Sequence, residues 1–130
     1  MARKRILLID DYGPFAMSLS LALSPDHLVE VKLSALEALA RLDRPRYDAV
    51  LCDVVMPVLS GIELYQRVLC SCPALADRFI FLTAGATTPE AQRFLTRSGT
   101  PVVQKPFELC TLTNALECLW ARAARVRGVA

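Results

Sequence analysis

The feature that most restricts this chain is a rhythm, in which short continuous apolar runs closed by a polar or acidic residue alternate with stretches of helical period. Arg5-Ile-Leu-Leu-Ile-Asp10 has the continuous hydrophobicity of a strand buried on both faces. Phe15, Leu19, Ala22 and Leu23 then repeat at i, i+4, i+7 and i+8, and Ser24-Pro25-Asp26 ends that helix. Leu28-Val-Glu-Val-Lys-Leu33 alternates at period two, as a strand near a sheet edge does, and Ser34 is a predicted N-cap for a helix carrying Leu36, Leu39, Ala40 and Leu42. Tyr47 to Cys52 is a third strand ended at Asp53, and beyond Pro57 and Gly61 a third helix carries Ile62, Tyr65, Val68 and Leu69. Phe79-Ile-Phe-Leu82 is the fourth strand. Thr88-Pro89-Glu90 reads as N-cap, first-turn proline and first-turn acid for a helix with Ala91, Phe94 and Leu95, which Gly99 ends. Val102-Val103 is a short fifth strand, and Leu109, Leu112, Leu116, Leu119 and Ala123 mark one face of a long fifth helix.

Strands that alternate with helices must pair in parallel through right-handed crossovers, because a tight hairpin cannot join parallel neighbours. The expected architecture is α/β: a doubly wound five-stranded parallel sheet, flavodoxin-like (βα)5, in the order 2-1-3-4-5. At 130 residues the chain suits one domain with one core, expected over about residues 5–122 within 1–130, and after the last helix only Val126-Arg-Gly-Val-Ala130 remains, so no output domain is expected.

Several classes of function are excluded by what the chain lacks. The basic start Met1-Ala-Arg-Lys-Arg5 resembles the head of a signal peptide, but the apolar run behind it stops at two aspartates before an export core can form. No apolar stretch approaches the roughly 18–20 residues needed to span a bilayer, so no membrane contact is expected. Five cysteines is an odd count, and Cys52 and Cys110 lie among apolar neighbours, so a reducing cytoplasmic setting without disulfides is expected. Cys70 and Cys72 lack a second Cys/His pair, and His27, the single histidine, is distant, which argues against a thiolate metal site. The net charge of +2 does not call for nucleic acid, and Arg122, Arg125 and Arg127 suit the negative end of a helix dipole.

In open parallel sheets ligands bind beyond the carboxyl ends of the strands. Here those ends carry Asp10 and Asp11, Asp53, Thr83 and Lys105. Carboxylates sharing one crevice raise each other's pKa unless positive charge sits among them. A lysine and a divalent cation meet that need, and hard oxygen donors without imidazole or thiolate partners point to Mg²⁺. Such a set handles phosphoryl groups: the two cations clamp equatorial oxygens, a hydroxyl donates, and a carboxylate attacks.

With Ile9-Asp10-Asp11, Asp53-Val-Val-Met-Pro57 followed by Gly61, Leu82-Thr83-Ala84 and Lys105-Pro106-Phe107, the sequence resembles the receiver (response regulator) domains of bacterial two-component systems, from Arg5 to about Trp120. The resemblance implies that Asp53 is the phosphoacceptor, that Asp10, Asp11, Asp53 and the backbone carbonyl of Val55 hold Mg²⁺, and that Thr83 and Lys105 contact the phosphoryl group. It further implies a histidine kinase or phosphotransfer protein as donor, a downstream protein partner on the face from the fourth to the fifth helix, and a cis peptide at Lys105-Pro106. Gly99-Thr-Pro-Val-Val-Gln-Lys105 and Thr83-Ala-Gly-Ala-Thr-Thr-Pro-Glu90 are similar to receivers attached to hybrid histidine kinases.

Three positions depart from the family pattern. Where the family often has an aromatic residue three before the lysine, this chain has Val102. Two residues after the acceptor and two after the threonine stand Val55 and Gly85, neither of which can orient a water by a side-chain hydrogen bond, so slow self-dephosphorylation is expected. The competing readings are an adaptor of the same fold that works by contact alone, which Val102 favours, and a Mg²⁺ phosphatase, which would place a second acid where Val55 stands. The expectation is therefore a regulator and not an enzyme. At helical spacing Phe94 and Leu95 are read as core and not as an exposed partner surface.

Overall fold

The computed structural model describes residues 3–85 and 88–126. Arg127, residues 86–87 of the hybrid-kinase-like segment, and the first two and last four residues lie outside the described residues. The strands are β1 (Arg5–Ile9), β2 (Leu28–Lys32), β3 (Ala49–Asp53), β4 (Phe79–Thr83) and β5 (Val102–Gln104). All pair in parallel in the order β2-β1-β3-β4-β5, as expected. The helices are α1 (Gly13–Leu23), α2 (Ala35–Leu39), α3 (Gly61–Ser71), α4 (Pro73–Ala76), α5 (Pro89–Ser98) and α6 (Leu109–Val126). The one-turn α4 was not anticipated; Pro73 is pre-set for a first helical position, so a new turn starts as α3 stops at Cys72. The predicted fourth and fifth helices are therefore α5 and α6.

Strand alternation sorts the core into two layers. Leu7, Ile9, Val50, Cys52, Phe79 and Phe81 face α2, α3, α4 and α5, whereas Ile6, Leu8, Ala49, Leu51, Ile80 and Leu82 face α1 and α6. Because successive side chains point to opposite faces, a strand covered on both must be apolar throughout, which is why β1, β3 and β4 read as unbroken hydrophobic runs. In the first layer Tyr65 meets Phe79, Phe81 and Phe94 edge to face at ring centroid distances of 5.3, 5.7 and 5.9 Å. Leu95 is buried and Phe94 packs on Tyr65, so both belong to the core as expected. At the sheet edge, Glu30 of β2 accepts from the Tyr47 hydroxyl at 2.8 Å and pairs with Arg41 at 3.0 Å, which ties the edge strand to the chain beyond α2.

Leu19, Leu23, Leu42, Leu112, Leu116 and Leu119 are buried as predicted, but several other predicted positions are not. In α1 Ala16, Leu19 and Leu23 are buried while Ala22 is exposed; in α2 Ala35 and Ala38 are buried while Leu36 and Ala40 are exposed. Leu69 and Leu109 are likewise exposed, and so is Cys110. Close helix–sheet approach takes the small side chains of Ala16, Ala35 and Ala38, while Leu36 turns outward. The predicted caps are present: Ser34 accepts from the Glu37 amide and Thr88 from the Ala91 amide, each at 3.1 Å, and Gly99 ends α5 in the left-handed region at φ 69°. Among the described residues no helix is long and apolar enough to cross a membrane.

The β3–α3 loop holds one strained position. Val58 has φ 72°, a region costly for a β-branched residue, and its side chain is 87% exposed. Replacing it with asparagine or glycine relieves the backbone and forfeits no packing. Denaturant unfolding of Val58→Asn should show about 1 kcal/mol of added stability.

Candidate functional site

The carboxyl ends of β1, β3, β4 and β5 converge on one rim. Parallel register fixes this: Ile9 stands beside Cys52, Asp53 beside Leu82, and Thr83 beside Gln104, so the residue closing each strand falls at the same height as its neighbours. One carboxylate oxygen from each of Asp10, Asp11 and Asp53 lies within 4.8 Å of the others. Asp10 is fully buried. Its Oδ1 accepts from the Tyr12 amide at 2.9 Å, and its Oδ2 pairs with Lys105 Nζ at 2.7 Å. The same ammonium is 3.9 Å from Asp53 Oδ2. Asp11 faces solvent.

Lys105 arrives from beyond β5. Its amide donates to the Thr83 carbonyl at 2.6 Å, and the peptide to Pro106 is cis. Its ammonium also lies over the ring of Phe15, 4.3 Å from the centroid. Thr83 is buried at the end of β4, and its Oγ1 accepts from the Gly85 amide at 3.1 Å, which leaves the hydroxyl proton free to donate.

The end of β3 is held close to α3. A Cβ added to Gly61 would drive into the carbonyl oxygen of Asp53, and would stand 3.0 Å from its carbonyl carbon and 3.1 Å from Cys52 Sγ. Gly61 is the first residue of α3, and Ser60 before it forms a reciprocal capping box with Glu63. The Ser60-x-x-Glu63 spacing was legible in the sequence but unused. Phe15 was read only as core, and no sequence signal separates a core phenylalanine from one lying over a lysine.

The electrostatics follow from crowding. The Asp53 carboxyl is raised to about 6, first by burial and then by Asp10, with Asp11 adding to the rise and Lys105 and the Val55 backbone amide opposing it. Cys52 beneath it is fully buried, and its thiol is pushed well up by burial and by Asp53 and Asp10, so it is a packing residue and no nucleophile. Three carboxylates against one ammonium leave a surplus of negative charge. Oxygen-only donors with one solvent-facing member fit a hard divalent cation that keeps several waters.

The sequence profile described as the response regulator receiver domain matches residues 6–117. The chain belongs to that family. Receiver domains bind Mg²⁺ at an acidic pocket, and this chain gathers Asp10, Asp11 and Asp53 in one cluster. The receiver is 31% identical over 125 residues to the response regulator MprA of a Mycobacterium species (strain KMS), covering 95% of this chain and 54% of that protein. It is 29% identical over 123 residues to the transcriptional regulatory protein TrcR of Mycobacterium tuberculosis, covering 94% of this chain and 47% of that one. The receiver thus spans about half the length of the curated relatives it matches. Among solved structures it is similar to the chemotaxis protein CheY4 of Vibrio cholerae, with a TM-score of 0.76, 29% identity and coverage of 91% of this chain and 99% of that one. The flavodoxin-like order and the receiver resemblance are both correct.

Proposed function

We propose that this receiver takes a phosphoryl group from a phosphohistidine donor, a histidine kinase or phosphotransfer protein, onto Asp53 in a Mg²⁺-dependent reaction. The single observation that supports it is the gathering of three carboxylates within 4.8 Å around an ammonium that reaches two of them. An Asp53 oxygen attacks phosphorus, the P–N bond to the donor imidazole breaks, and the electron pair leaves with the imidazole, which takes up a proton. Asp10, Asp11, Asp53 and the Val55 carbonyl would hold Mg²⁺, whose chemistry is to neutralise the carboxylates and the phosphoryl oxygens. Lys105 would follow the new charge from Asp10, and Thr83 would donate its hydroxyl proton to a phosphoryl oxygen. The added charge of roughly −1.5 to −2 would bias the α5–α6 face toward a downstream protein.

Incubation with acetyl phosphate, with and without Mg²⁺, tests the reading. Incorporation of one phosphoryl group that requires Mg²⁺ and maps to Asp53 is expected; labelling elsewhere, or none, would leave the contact-only adaptor. That second reading draws on Val102, which is aliphatic and 42% exposed where the family often carries a ring.

Val55 is 63% exposed beside the acceptor and Gly85 is held at φ 91°, so a polar side chain is sterically available at 55 and strained at 85. The phosphorylated wild type should therefore hydrolyse slowly. Val55→Gln, able to orient a water, should shorten the phosphoryl half-life roughly tenfold in a phosphate-release assay.

A further inference from the structure

Lys105 is a flexible, strongly hydrated cation, and a four-carbon stem at a rim can turn its ammonium to water as easily as inward. Its side chain is nonetheless only 20% exposed. Two kinds of contact hold it. One is the Asp10 carboxylate at 2.7 Å, with Asp53 at 3.9 Å. The other is the face of Phe15, from the first turn of α1, at 4.3 Å. Phe15 is itself braced: Phe107, two residues after the lysine, meets it edge to face at 6.0 Å and 88°. Both rings are partly buried against the α1–α6 layer, so the phenyl face is fixed where the ammonium needs it.

We propose that Phe15 is a positioning residue for Lys105, its ring face holding the ammonium at the acceptor rim with Phe107 as the brace. The inference rests on the phosphoacceptor reading for its consequence, though not for its geometry. Asp10 is a shared partner, since on that reading a divalent cation also claims its carboxylate and weakens its hold on the lysine. A phenyl ring is no ligand for a hard divalent cation, so the metal does not compete for it. A cation over an aromatic face keeps an attraction worth more as water is excluded, so Phe15 is the contact that stays when Asp10 is engaged and keeps the ammonium beside Asp53. A leucine would fill much of the space but offers no quadrupole.

The placement also joins the rim to two elements at once. The first turn of α1 and the loop between β5 and α6 share one aromatic pair, and that pair touches the charge that a phosphoryl group would draw away from Asp10. With Val102 in β5 aliphatic, Phe15 and Phe107 provide a ring contact able to register that movement.

Two measurements on the full chain decide this. In proton–carbon spectra, the Lys105 ε-methylene should be shifted upfield of Lys32 by the Phe15 ring current. The shift should vanish in Phe15→Leu, survive in Phe15→Tyr and survive in Asp53→Asn. Lys4, which lies 5.4 Å from the Trp120 ring centroid, is the internal control and should not respond. In acetyl phosphate labelling with Mg²⁺, Phe15→Leu should lower the maximal rate roughly three- to tenfold without moving the half-saturating donor concentration. Phe15→Tyr should restore the rate, and in a Lys105→Ala background Phe15→Leu should change it less than twofold. Additive effects in the two backgrounds, or a Lys105 shift that ignores Phe15, overturn the proposal. If wild type takes no label, the phosphoacceptor reading fails by itself, and the ring-current measurement still decides whether Phe15 positions the lysine.

Discussion

Asp53→Asn should make the metal-free protein more stable at pH 8 by about 1–2 kcal/mol, while abolishing its labelling by phosphodonors. The amide has no nucleophilic carboxylate oxygen, which accounts for the second effect. The first follows from linkage. Asp53 titrates at about 6 in the folded chain against an ordinary 3.8, so the folded state holds its proton more tightly than the unfolded state does. Above pH 6 the ionised carboxylate is a cost to folding. That cost shrinks as pH falls from 6 toward 3.8 and is absent below both values. A rise of this size would be worth about 3 kcal/mol in a fully enclosed site, and the solvent-facing rim reduces it to the figure expected. Denaturant unfolding in chelator at pH 8 and pH 3 should therefore show the variant ahead at the higher pH and level at the lower. Saturating Mg²⁺ should close or reverse the gap at pH 8 by stabilising the wild type more. A variant no more stable than wild type at pH 8 in chelator would show that the three carboxylates do not burden the fold.

Gly61→Ala should destabilise the fold. A methyl group there cannot coexist with the Asp53 carbonyl, and Cys52 Sγ closes the other side at 3.1 Å, so α3 must back away from β3 or the acceptor must shift. The loss should reach about 3 kcal/mol, with a fall in Tm on the order of 10 °C. Ser60→Ala provides the comparison, since it removes the capping box from the same turn and should cost only about 1 kcal/mol. Labelling of Gly61→Ala should fall out of proportion to its folded fraction, because the change presses on Asp53, the proposed acceptor. Equal losses for the two variants in calorimetry would refute the close-contact account.

The strand order and the rim were legible because β1, β3 and β4 are buried on both faces, and two-sided burial leaves a signature, the unbroken apolar run, that survives without any tertiary information. Asp10, Asp53 and Lys105 were then placed by topology: whatever ends a parallel strand stands at the same end of the sheet. Ala22 of α1 and Leu36 and Ala40 around α2 were misread for the opposite reason. Part of the helix–sheet contact runs through Ala16, Ala35 and Ala38, beside Leu19 and Leu23, and an alanine carries too little hydrophobicity to reveal a face when leucines stand next to it. Gly61 was visible as a motif but not as a steric necessity, since that depends on where the Asp53 carbonyl points. Phe15 over Lys105 depends on two side chains 90 positions apart and could not be read locally.

The bond from Lys105 to Asp10 spans 95 positions of the chain, from the end of the first strand to the loop beyond the last. Half-made chains and locally unfolded ones therefore lack the charge arrangement that would make Asp53 reactive, however well their early helices have formed. The charge arrangement of the rim is complete only once the final strand is in place, so it depends on the integrity of the whole sheet.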